Sequence, residues 1–100
     1  MKFSAMVLDQ NAADAVIKFV CRRFGVKLWQ LRCDSRERNL VHARHMAAWL
    51  MLQRGLQVAD IARLLARDHS TISIALKKIE RERAKNRKVA AELDEMRRAS

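Results

Sequence analysis

The chain is expected to fold as an all-α domain, a compact bundle of about five to six helices containing a helix-turn-helix. Three features lead there. Half of the 100 residues are hydrophobic, only two are glycine and none is proline, a composition that suits helices better than strands joined by tight turns. Apolar residues recur at three- and four-residue steps along much of the chain. Two such patterns, over 58–65 and 72–79, also meet across a short polar connection. A chain of this length makes one domain with a modest core and a net stability on the order of 5–10 kcal/mol.

The elements follow in order. Met1, Phe3, Met6, Val7 and Leu8 show no clean period, so residues 1–10 read as an N-terminal arm or as the lead-in to the first helix. From Asn11, an N-cap type of residue, Ala12, Ala15, Val16, Phe19, Val20 and Phe24 mark a helix that Gly25 ends in a left-handed conformation. Val26–Leu31 is long enough for a short second helix, and the polar run Asp34–Asn39 after it is a charged loop. Asn39 is placed to cap a third helix with Ala43, Met46, Ala47, Leu50 and Met51 on its buried stripe and Gly55 at its end. Trp29 and Trp49 lie within amphipathic patterns and read as core or half-buried residues rather than stacking platforms.

The fourth and fifth helices carry Val58, Ile61, Leu64 and Leu65, then Ile72, Leu76 and Ile79 inward, with Ala66-Arg67-Asp68 as the turn. Asp68 stands where its carboxylate can accept the backbone N–H groups of Ser70 or Thr71, which would leave His69, Ser70 and Thr71 in an exposed first turn. Residues 80–88 are almost wholly charged, and Val89, Ala90, Leu93 and Met96 then restore a weak apolar period. Asn86 would separate a sixth helix here, unless one long helix runs through, since Ala, Glu, Lys and Arg all propagate helices. The organised region is thus 11–97, with 98–100 a tail.

Charge narrows the function. Lys and Arg number 21 against 11 Asp and Glu, a net charge of +10, which points to a polyanionic partner. No apolar run approaches the roughly 20 residues of a membrane span and Met1-Lys2-Phe3-Ser4 opens no signal peptide, so a cytoplasmic location without membrane association is expected. Cys21 and Cys33 are too few for a disulfide framework and read as buried, inert thiols. Neither they nor His42, His45 and His69 have metal-ligand spacing. With glycine only at 25 and 55 there is no phosphate-binding loop. No catalytic activity, cofactor or metal is expected.

The run Ala66-Arg67-Asp68-His69-Ser70-Thr71-Ile72, closed by Lys77-Lys78-Ile79-Glu80, resembles the signature of the C-terminal duplex-binding domain of the bacterial replication initiator DnaA. The resemblance extends through Ala43-Arg44-His45-Met46-Ala47 and covers about residues 11–97. It implies an all-helical fold similar to that of the Trp repressor, which recognises a short duplex box through both grooves. Carried over, Asp68, His69, Ser70 and Thr71 would contribute to major-groove reading with Lys78 near the backbone. Arg44 would match the arginine that enters the minor groove, and Arg36 and Arg38 positions in the basic loop before it. The chain departs from the family where Ala66 replaces the glycine before Arg67, where Ala43 replaces the proline beside Arg44, and where Asp34 and Glu37 enter the loop. None of its segments corresponds to the ATP-binding domain that accompanies this module in the initiator.

Chemistry assigns separate work to these side chains. The His69 imidazole and the Ser70 and Thr71 hydroxyls suit base edges, and the Thr71 methyl suits a thymine methyl. Arg67 and Lys78 suit phosphates, and Arg44 either a phosphate or a minor groove. The Arg81–Lys88 run reads as a solvated helix face, a backbone contact or a partner-binding helix. A standalone, sequence-specific double-stranded DNA-binding protein regulating transcription is the leading expectation. Replication control by competition for initiator boxes is an alternative, as is an adaptor that recruits RNA polymerase or the initiator through the charged C-terminal helix. No sustained heptad decides between monomer and dimer.

Overall fold

A computed structural model describes residues 2–100, with side chains from residue 11 onward. The described residues form six helices and no strand: α1 (Lys2–Phe24), α2 (Leu28–Arg32), α3 (Arg38–Gln53), α4 (Val58–Leu64), α5 (His69–Lys85) and α6 (Arg87–Ala99). Helix α1 runs unbroken through Asn11, so that residue is an exposed helix-interior position and not a start. Residues 2–10 continue α1 in backbone; Met1 lies outside the described residues.

The core forms around α3, whose length and apolar stripe let it touch most other elements. Ala43, Met46, Ala47, Ala48, Trp49, Leu50 and Met51 are all buried, and Val16 and Val20 of α1 join them from one side. Ile61 and Leu65, then Ile72, Leu76 and Ile79 of α5 close the opposite side. Leu93 and Met96 bring α6 into the same cluster. None of the described helices is long and apolar enough to cross a membrane.

Three helix ends share one device. After α1, Val26 N–H bonds back to Cys21 O at 3.0 Å; after α3, Leu56 N–H to Met51 O at 3.1 Å; after α4, Arg67 N–H to Ala62 O at 2.9 Å. Each six-residue closure needs a left-handed residue just before the donor, and these are Gly25 (φ +66°), Gly55 (φ +91°) and Ala66 (φ +53°). The two glycines behave as expected. Ala66 adopts the same conformation with a Cβ, which costs about 1–2 kcal/mol.

Two cap assignments change. Helix α3 begins at Arg38 with Glu37 as its N-cap, and Asn39 turns its amide outward to donate to Phe24 O at 3.2 Å. It therefore satisfies a carbonyl at the end of α1 instead of capping its own helix, beside the edge-to-face contact of Phe24 and His42 at 5.3 Å. Asn86 separates α5 from α6, and its side-chain oxygen accepts from Lys88 N–H at 2.9 Å and Val89 N–H at 3.3 Å. One residue ends one helix and caps the next, so the continuous helix does not form.

The tryptophans part company. Trp49 is 1% exposed and its indole N–H donates to Glu80 Oε1 at 2.8 Å, satisfying the polar edge of a buried ring. Trp29 is 65% exposed, contrary to the core or half-buried placement expected, because α2 is only five residues long and Leu31 takes its buried position. In the charged run, Arg83 turns inward to Asp94 at 3.3 Å and lies 6.0 Å from the Trp49 ring, while Arg81, Glu82, Ala84 and Lys85 face solvent.

Candidate nucleic-acid interface

The helix-turn-helix is α4, the connection Leu65–Asp68 and α5. Ile61, Ala62, Leu65, Ile72, Ala75, Leu76 and Ile79 are buried along it, which orients the pair and turns the opposite side of α5 to solvent. His69, Ser70 and Thr71 are exposed in the first turn. Asp68 occupies the N-cap position in extended conformation, and its backbone oxygen accepts from Ile72 N–H at 3.1 Å. Its carboxylate makes no capping hydrogen bond, contrary to expectation, and is exposed.

A cleft runs between α5 and the first half of α3. Arg36, Arg38, His42, His45 and Lys78 line it, with Glu82 at one end. Next to it, Arg36, His45 and Arg67 surround Thr71 and Ala75. The fold thus brings six predicted residues, Thr71, Lys78, Arg36, Arg38, Arg44 and Arg67, to one surface from two distant stretches. His69 and Ser70 are on the exposed first turn beside this surface but do not line the cleft.

Arg44 lines the second hollow as well, with its side chain turned toward the α2–α3 loop. It is 6% exposed, and its guanidinium faces the carbonyl groups left over where α2 ends. Nε donates to Leu31 O at 2.8 Å, Nη1 to Ser35 O at 2.7 Å, and Nη2 to Cys33 O at 2.8 Å and Gln30 O at 3.2 Å. All three nitrogens of the side chain are thus engaged by backbone oxygens. Arg44 shapes the loop that carries Arg36 and Arg38.

Arg67 is half-buried and shares that task. Its Nη1 donates to Ala66 O at 3.0 Å, with longer contacts to Arg32 O and Leu65 O, and its Nη2 donates to Cys33 O. Burial, then the charge of Arg44, lowers its pKa from the ordinary value. Cys33 O therefore accepts from both arginines, joining the α2–α3 loop to the turn of the helix-turn-helix. As a phosphate anchor Arg67 is only partly available.

His42 and His45 are not among the residues that the motif singles out, yet both line the cleft. Arg38, His42 and His45 are separated by helical steps of four and three, a signal in the sequence that places them on one face. His45 is held below its ordinary pKa by burial, then by Lys78 and His42. Lys77 and Ile74 on the exposed side of α5 were also unassigned. Both cysteines are free and half-buried; burial raises the pKa of Cys21, and the Cys33 thiol donates to Gln30 O at 3.1 Å. Among the described residues no three His, Cys, Asp or Glu are grouped to hold a metal ion.

A polar first turn presented by a buried helix pair, flanked by a cationic cleft, defines a domain of the helix-turn-helix class. Residues 13–79 match the family described as bacterial dnaA protein helix-turn-helix, and the chain belongs to it. Its relatives include proteins named chromosomal replication initiator protein DnaA. That of Chloroflexus aggregans is 33% identical over 73 residues, 71% of this chain and 15% of the relative. That of Pelobacter propionicus is 36% identical over 69 residues, 67% of this chain and 15% of the relative. That of Thermomicrobium roseum is 30% identical over 89 residues, 87% of this chain and 19% of the relative. The chain thus spans less than a quarter of the length of each.

Proposed function

We propose that the chain binds double-stranded DNA sequence-selectively and acts as a transcription regulator. The first turn of α5 enters the major groove, where His69, Ser70 and Thr71 meet base edges and Asp68 approaches beside them. Lys78 lies against the backbone, and Arg36 and Arg38 extend the contact from the α2–α3 loop. The observation that carries this reading is the convergence of Thr71, Lys78, Arg36 and Arg38 on one exposed surface in a DnaA-type helix-turn-helix.

The test is duplex selection followed by binding of selected and random duplexes at fixed salt. Selected duplexes should bind about 10³-fold more tightly. Replacing His69 and Thr71 together by Ala should remove at least about 10-fold of that preference. Equal affinity for both kinds of duplex overturns the reading. The replication initiators among the relatives favour a second reading, competition for initiator boxes. Selection of an unrelated consensus removes it.

A further inference from the structure

Helix α5 carries one large apolar side chain that the fold leaves uncovered. Ile74 is 66% exposed, and it does not lie on the stripe of Ile72, Leu76 and Ile79 that closes the core. Its helical neighbours toward solvent are Ser70 one turn before, Lys77 and Lys78 one turn after, and Arg81 beyond them, all exposed. With Leu76, Lys77, Glu80 and Arg81 it lines an open hollow, where the Glu80 carboxylate is engaged by the Trp49 indole N–H. Covering an isoleucine that stands in water is favourable.

The surroundings state what could cover it. Cations at 77, 78 and 81 suit a polyanion, and an apolar partner on that polyanion must be small and reachable from a helix. The edge of a base pair in the major groove presents one such group, the C5 methyl of thymine. Ile74 is four residues after Ser70, about 6 Å farther along the helix, roughly two base-pair steps. We infer that Ile74 is a specificity-determining residue that packs on a thymine methyl, about two base pairs from the position met by Ser70 and Thr71. This rests on the duplex-binding reading above and adds a base preference to it.

The experiment uses the selected duplex with each thymine replaced in turn by uracil, which removes only that methyl. At one position the exchange should weaken binding by the wild-type chain about 3- to 10-fold and by the Ile74→Ala chain less than about 1.5-fold. Lys77→Ala is the control; it should weaken all duplexes alike and leave the uracil cost in place. Circular dichroism of Ile74→Ala should be unchanged, because the side chain is exposed. If the wild-type chain binds selectively and every uracil exchange costs both proteins the same, the assignment of Ile74 is overturned while duplex reading stands. If the wild-type chain prefers no duplex, both fall together.

Discussion

The basic residues of this domain divide into two regions with opposite economies. At the end of α2, Arg44 and Arg67 direct their guanidiniums at backbone oxygens, and Cys33 O serves both. A few residues away, Arg36, Arg38 and Lys78 surround an open cleft as exposed side chains. The two sets are alike in sequence and differ in what the surrounding backbone demands. A five-residue helix leaves most of its carbonyls without a helical partner, and a planar donor with several N–H groups can answer several of them together. Positive charge in the first region holds shape, and in the second it remains available for an anion.

The largest expected effect tests that division from the inside. Arg44→Ala leaves several buried carbonyls without donors, and urea unfolding should show a loss of about 3 kcal/mol or more. Lys at this position should recover only part, since one ammonium cannot reproduce the planar fork. A loss below about 1 kcal/mol would place Arg44 among the dispensable cations and erase the contrast.

A smaller effect of opposite sign concerns the turn beside Arg67. Ala66→Gly relieves the Cβ at φ +53°, and thermal unfolding should show a gain of about 0.5–1 kcal/mol, worth a few degrees in Tm. An unchanged or lowered Tm would show that the left-handed closure carries no strain. For the open region, Arg36→Ala and Lys78→Ala should each alter stability by no more than about 0.5 kcal/mol. Each should instead flatten the dependence of duplex affinity on salt by about 0.9 in log–log slope. An intact slope would mean that the cation touches no phosphate.

The smallest effect is a pH dependence at His45. Its folded pKa lies below the ordinary 6.5, so the unfolded chain takes up the proton first. The associated stability is complete above about pH 6.5 and falls as pH drops from there through the folded value. His45→Gln should remove that part of the pH profile of unfolding.

Much of the fold was legible because its signals are local. Gly25 and Gly55 ended their helices where the spacing placed them, Asn86 divided α5 from α6, and the stripe Ile72, Leu76 and Ile79 turned inward. The misread residues depend on distant partners. Asn39 found its acceptor on Phe24, 15 residues away, and Arg67 found Cys33, 34 residues away. No local pattern announces those carbonyls. Arg44 shows the same limit from the side of the resemblance, since likeness of motif does not announce the four backbone carbonyls that its guanidinium meets. For the interface, Thr71 and Lys78 follow from helix spacing, whereas their meeting with Arg36 and Arg38 depends on how α3 crosses α5.

The bond from the Trp49 indole to Glu80 links the central helix to the helix that bears the exposed first turn. It makes the domain its own optical gauge. With Trp29 replaced by Phe, emission would come from one buried ring whose colour and intensity follow the seating of α5 on α3. Titration with a duplex would then separate rigid docking, which leaves the spectrum alone, from a recognition helix that shifts as it is filled.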